Sequence, residues 1–295
     1  MTIIAGFSWA GQSAAPLNLA ARIARCTGEK IVATAIVERQ WQPSAGSVED
    51  EYIDYVSSGA KRCLEVEVAK LPADLDSWVV VHQSSSVPTG LTELATELDA
   101  GIVVVGSSSS GLLGRVALGS VTSRLVHTAS VPVAIAPRGY PLDPGPIDRL
   151  TVSYGGQADA VGLIAASAEL ATRWKAPLRI VSFTVRPARL FGGGVDTSAE
   201  GLVIEQWVRR TVAEVTKQLN EVRTTIALPD VEVLIGSGTD WGAAVDDVPW
   251  DSGDLLLLGS GAAGQSTHVF LGSAASKIIR NAPVPVMILP RHGSG

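Results

Sequence analysis

A chain of 295 residues, 46% apolar and only 18% charged, has enough material for two buried cores of ordinary domain size. Its net charge of −6 excludes binding that relies on a basic stripe neutralising nucleic-acid phosphates, and it disfavours docking on an anionic membrane. Cys26 and Cys63, the only cysteines, have neither CxxC spacing nor the density of a disulfide scaffold, so both are expected as reduced, buried thiols of an intracellular protein.

Met1–Gly6 reads as a first strand rather than a leader, and no run approaches the roughly 18 apolar residues of a spanning helix. A cytosolic protein is expected. Further strands fall near 31–37, 78–83, 101–105 and 131–136, separated by helices near 14–27, 48–70, 88–99 and 120–129. Leu17, Ala20, Ala21 and Ala24 form one apolar face of the first helix. Pro137–Pro146 holds four prolines and two glycines in ten residues, which neither a helix nor a central strand tolerates. This segment is the linker, and it places domains at 1–138 and 148–291, with 139–147 between them and 292–295 as a tail. Strands follow near 149–153, 178–183, 230–235, 254–258 and 284–289. A long second helix carries Ile204, Val208, Val212, Val215, Leu219 and Val222 along one face.

The chain repeats itself. A constant offset of 153 residues maps Gly106 to Gly259, Gly111 to Gly264, Gly119-Ser120 to Gly272-Ser273, Pro132 to Pro285 and Pro137-Arg138 to Pro290-Arg291. A slightly different offset relates the first helix to Val161, Ile164, Ala165 and Ala168. The late strands, Ile102–Val105 and Leu255–Leu258, are continuously apolar, as strands covered on both faces are. Alternating strands and helices predict an α/β protein of two domains, each a five-stranded parallel, doubly wound sheet flanked by helices. Ligands of such sheets bind beyond the carboxyl ends of the strands, where strand order reverses.

At that edge each half carries a Gly/Ser loop ending at a helix start. Glycines admit close backbone approach and positive φ, and a helix start offers unpaired N–H groups and about half a positive charge. Ser120 and Ser273 are suited to N-cap positions and to donating to a phosphate. Arg115 and His268 share one repeat position inside these loops and are candidate phosphate partners. His82, His127 and His292 form no metal cluster by spacing, and no general base is identifiable. Trp9 and Trp241 fall in loops at the mouth of the expected pockets, while Trp41 and Trp207 fall in or near the long second helices.

With its Gly106…Gly119-Ser120 and Gly259…Gly272-Ser273 loops and its Val131-Pro132-Val133 and Val284-Pro285-Val286 strands, the chain resembles the universal stress protein family in its tandem form. The resemblance covers nearly all of both halves and implies Rossmann-like domains of the adenine nucleotide alpha hydrolase type. It also implies an ATP or other adenine-nucleotide site built on G-x2-G-x9-G-[ST]. Candidate residues are Ser8, Ile36, Gly106, Ser107, Ser109, Gly111, Arg115, Gly119, Ser120 and Val121 in the first half. In the second they are Phe183, Gly259, Ser260, Gly264, His268, Gly272, Ser273 and Ala274. Both loops depart from the pattern: Ser109 and Ala262 replace its second glycine, and Ser8 and Gly155 stand where nucleotide-binding members carry an Asp. If position 109 needs positive φ, its Cβ costs about 1–2 kcal/mol, so nucleotide affinity is expected to be weakened or lost.

The implied function is a non-catalytic stress-response or regulatory protein with a degenerate nucleotide site in one or both halves. The alternative is an interaction protein with decayed sites, in which Trp9, Phe7, Tyr154 or Phe183 fills the pocket. The halves are expected to pair edge to edge through their fifth strands. The family likeness implies further homodimerisation and a signalling partner.

Overall fold

The computed structural model describes residues 1–8, 13–39, 48–109, 112–155, 160–185, 197–228, 230–259 and 272–290. The first half runs β1 (Thr2–Gly6), α1 (Ala15–Thr27), β2 (Lys30–Glu38), α2 (Val48–Val68), β3 (Ser77–Ser84), α3 (Val87–Glu97), β4 (Ala100–Gly106), α4 (Ser120–Thr128) and β5 (Val133–Ala136). The second repeats it with β6 (Arg149–Ser153), α5 (Ala160–Trp174), β7 (Leu178–Val185), α6 (Thr197–Arg223), β8 (Glu232–Gly238), α7 (Trp241–Asp246), β9 (Asp254–Gly259), α8 (Ser273–Asn281) and β10 (Val286–Leu289).

All ten strands lie in one sheet of order β3-β2-β1-β4-β5-β10-β9-β6-β7-β8. Within each half neighbouring strands are parallel, and the expected edge-to-edge junction is the antiparallel pair β5–β10, in the register Ile135↔Val286, Ala134↔Met287 and Val133↔Ile288. Because successive strand residues face opposite sides, Ile3 and Ile4 belong to different cores. Ile3, Ala33, Val104, Leu150 and Leu257 pack on one face, and Ile4, Val32, Val103, Leu256 and Val286 on the other. Each core is continuous across both halves.

The fifth strands begin later than their apolar runs suggest. Proline has no N–H for the ladder, so Pro132 and Pro285 stand just outside the strands, their carbonyls still accepting from Val103 N and Leu256 N at 3.0 and 2.9 Å. α7 was not expected: six residues are too few for a helical period to show, and Trp241, expected in a loop, opens this helix behind an Asp240 cap that accepts from Ala243 N at 2.9 Å. Lys277 stands 5.5 Å from its ring. The third helices of the halves approach their strands through reciprocal small residues. A Cβ on Gly90 of α3 would lie 2.9 Å from both Ile36 and Ser84, so a side chain there would push α3 off the sheet. At the matching contact of the second half the helix carries Ala244 and the strand carries the glycine, Gly238.

Two guanidinium groups join the halves. Asn18, Arg22 and Cys26, spaced by four on α1, hold the connecting segment. Asn18 donates to Tyr140 O at 2.9 Å, and Ile147 N donates to the Cys26 sulfur at 3.2 Å. The buried Arg22 donates to Pro146 O at 2.5 and 3.0 Å, Ser252 O at 2.7 Å, the Tyr140 hydroxyl at 3.1 Å and Asp148 at 3.2 Å. The sequence suggested buried thiols, but both cysteines are half-buried, and burial pushes the Cys26 thiol pKa up. Elsewhere Arg115 donates to Asn281 O at the end of α8 and pairs with Asp246 at 2.9 Å at the end of α7, where helix dipoles favour a cation.

The second half carries a buried ionic cluster. Asp254, fully buried, accepts from Arg149 at 2.8 and 2.9 Å and from Arg179 at 3.0 Å. Arg179 also donates to Thr151 at 3.1 Å and lies 5.2 Å from the Trp250 ring. Thr2, Ile4, Val32 and Gly101 occupy the corresponding strand positions of the first half. Asp254→Ala leaves the buried Arg179 without its counter-charge, while Arg149 keeps Asp251 at 2.7 Å, and is expected to cost about 3–5 kcal/mol in denaturant unfolding, with Asp254→Asn milder. Arg22→Lys is expected to lose most of the stability lost in Arg22→Ala, because one ammonium cannot span the same carbonyls and hydroxyl; differential scanning calorimetry checks this.

Candidate functional site

Beyond the carboxyl ends of β1, β2 and β4, where strand order reverses, lies a cavity of about 600 Å³, within the range of small-molecule sites. Its floor is Gly6 at the end of β1 with Phe7 and Ser8 after it, Thr34 and Ile36 to Glu38 of β2, and Val105-Gly106 of β4. Tyr52, Ile53 and Val56 of α2 form one wall, with Val87 and Leu91 of α3 opposite. Ser107 to Ser109 and Gly119 to Thr122 close the remaining side.

The loop between β4 and α4 is held at both ends. Ser107 Oγ accepts from Ala117 N at 2.7 Å, Ser108 N donates to Ala117 O at 2.8 Å, and Thr122 Oγ1 donates to Gly106 O at 3.3 Å. Farther out Gly114 N donates to Arg138 O at 2.9 Å, and Gly114 takes the left-handed conformation with φ +75°. The α4 ladder starts with Ser123 N donating to Gly119 O at 2.9 Å. The amides of Ser120, Val121 and Thr122 therefore precede the ladder, at the positive end of the helix dipole and on the cavity wall. The cap is Gly119 rather than Ser120, and in the second half Gly272 rather than Ser273, neither with a side-chain cap bond. The seryl residues occupy the first helical position instead.

The cavity brings together Ser8, Ile36, Gly106, Ser107, Ser109, Gly119, Ser120 and Val121. Arg115 is not among its lining residues; its guanidinium reaches the other half instead. Among the described non-glycine residues only Asp99 and Lys175 have positive φ, so Ser109 bears its Cβ without the strain considered for that position. In the second half Gly259 ends β9, Gly272, Ser273 and Ala274 open α8, and Phe183 lies half-buried on β7. Gly111, Ser260, Ala262, Gly264, His268, Trp9, Trp41 and His292 lie outside the described residues. His82 is not a lining residue; its ring bonds Glu93 at 2.9 Å, and that hydrogen bond holds the Glu93 carboxyl below its usual pKa.

Sequence reasoning missed Thr34, Glu38, Tyr52 and Leu91. Thr34 is the informative omission: fully buried in the floor, its Oγ1 has no hydrogen-bond partner. A buried hydroxyl left unpaired costs about 1–3 kcal/mol, and its signal was a lone hydroxyl within the apolar run Ile31–Val37. Glu38 Oε1 accepts from Val87 N at 3.2 Å, anchoring the start of α3 at the cavity rim. Among the described residues no group of three or more His, Cys, Asp or Glu side chains is placed to hold a metal ion, and no helix is long and apolar enough to cross a membrane.

Residues 2–137 and 146–290 each match the family model of the universal stress proteins. A universal stress protein of Mycobacterium tuberculosis is 32% identical over 295 residues, covering 98% of this chain and 100% of that one. A second protein so named from that organism is 29% identical over 258 residues, covering 81% of this chain and 77% of its own. The crystal structure of a universal stress protein from Archaeoglobus fulgidus aligns with a TM-score of 0.64 at 20% identity, covering 99% of this chain and 98% of that one. A functionally unknown Pseudomonas aeruginosa protein aligns at 0.54 with 13% identity, covering 98% and 92%; at these identities the two structures share the fold. Two successive family matches and a full-length relative agree with the repeat read from the residues: the chain belongs to the universal stress protein family, as a tandem of two family domains.

Proposed function

We propose that this protein is a cytoplasmic, non-catalytic stress-response regulator that binds an adenine nucleotide in its first domain, residues 1–138. The observation that carries the reading is the cavity at the switch of strand order, apolar along β2, α2 and α3 and faced at its other end by the amides of α4. That polarity suits a flat, largely apolar base at one end and an anion at the other. In the second domain, residues 148–291, the counterparts of Phe7 and Ile36 are the bulkier Tyr154 and Phe183. Tyr154 is 3% exposed, and its hydroxyl accepts from Gln218 at 3.4 Å. The second domain thus serves as a structural partner, joined through 139–147. Further homodimerisation uses a surface other than β5, whose edge β10 already occupies.

A second reading, an interaction protein without a ligand, is favoured by exposed apolar side chains on the equivalent helices: Tyr52 and Tyr55 of α2, Leu202 and Trp207 of α6. Thermal-shift measurements with ATP, ADP and AMP separate the two. Ligand at about 100 times its dissociation constant stabilises by about 2.7 kcal/mol, a rise of several degrees in Tm. Gly119→Val, whose Cβ would meet Ser108 at 3.4 Å, is expected to abolish the shift, and Gly272→Val to retain it. No shift with any nucleotide, and none co-purified, decides for the interaction protein.

A further inference from the structure

We infer that the first-domain cavity takes an adenine nucleoside bearing a single phosphate, bound without a divalent metal, in preference to a metal–triphosphate. The inference rests on the nucleotide reading above and concerns the charge that the site can balance. Among the described lining residues Glu38 is the only charged side chain, and it is an anion. Residues 9–12, 40–47 and 110–111, which adjoin lining residues or their elements along the chain, contain no Lys, Arg or His. Of the cations nearest in sequence, Arg39 pairs with Asp50 and Arg115 with Asp246 and Asn281 O, while Arg124, two residues beyond Thr122 on α4, is solvent-exposed and is not a lining residue. What remains to attract an anion is the α4 terminus, equivalent to about half a positive charge.

One phosphate, ester or cyclic diester, matches that terminus: its oxygens accept from the amides ahead of the helical ladder, and its charge stays small. Each added phosphate brings charge that no side chain of the lining offsets, so a triphosphate must carry its own metal counter-ion. The other end of the cavity selects for hydrogen-bonding capacity rather than charge. The unpartnered Thr34 hydroxyl in the floor and the Glu38 carboxylate at the rim suit the polar edge of a nucleoside, with Glu38 accepting and Thr34 able to donate or accept. A nucleoside reaches the Thr34 hydroxyl, which is closed to solvent, when the side chains covering it shift, and then supplies the partner that Thr34 lacks.

Isothermal titration calorimetry of the full chain in EDTA tests this with adenosine, AMP, cyclic 3′,5′-AMP and ATP, followed by ATP with magnesium. AMP or its cyclic form is expected to bind at least about tenfold more tightly than metal-free ATP, and their order distinguishes monoester from diester. Magnesium is expected to strengthen ATP binding and leave AMP unchanged. Ser120→Pro removes the first amide at a position where proline starts helices well, behind an extended Gly119 (φ −83°, ψ 175°). It is expected to weaken AMP and spare adenosine. Thr34→Val is expected to weaken both, and Glu38→Gln to narrow the gap between AMP and ATP. ATP binding as tightly as AMP, or more tightly, with or without magnesium, overturns this inference and leaves the nucleotide reading standing. No binding of any of these compounds at millimolar concentration overturns the nucleotide reading itself.

Discussion

The antiparallel pairing of β5 with β10 is the constraint on which the rest of the architecture depends. Three residue pairs turn two parallel sheets into one of ten strands. Because the junction is antiparallel, all strands of one half run against all strands of the other. The carboxyl edges of the two halves, where each places its glycine loop, therefore lie at opposite ends of the sheet. No ligand at the carboxyl edge of one half can therefore be completed by the carboxyl-edge residues of the other.

So short a ladder is a modest link, and side chains on both halves reinforce it. Arg22 reaches from α1 to the connecting segment and to the strand entrances of the second half. Arg115 reaches from the loop after β4 to the carboxyl ends of α7 and α8. Opposed strands explain why this contact exists: the edge of the first half that exposes loops meets the edge of the second where helices end. A residue with the position and chemistry of a phosphate ligand thereby becomes part of the domain junction.

The halves have diverged in what they bury. The first keeps apolar strand faces and an open carboxyl edge, with the Thr34 hydroxyl in the cavity floor lacking a protein partner. The second buries the Asp254–Arg179 pair against Trp250, with the half-buried Arg149 alongside, and fills the position of Phe7 with Tyr154. Polar groups that are satisfied internally make a rigid support, whereas polar groups left unsatisfied around a cavity make a binding surface. One fold, repeated, thus buries different polar groups in its two halves by exchanging a handful of side chains.

Much of this was legible from the residues alone. Helical and strand periodicities placed most elements within a few residues, the 153-residue offset disclosed the repeat, and continuous apolar runs announced strands covered on both faces. These signals are local, or arise from one segment copying another. The six-residue α7 escaped because it is shorter than two helical turns, and the late start of β5 and β10 reflects ladder bonding that proline denies. What only the tertiary structure decided is where side chains go once loops fold back. Arg115 left the expected site, Gly119 rather than Ser120 became the cap, and Thr34 and Glu38 joined the cavity from a strand that reads simply as core. Such choices depend on which elements meet across the sheet, and spacing along a single chain carries no record of that meeting.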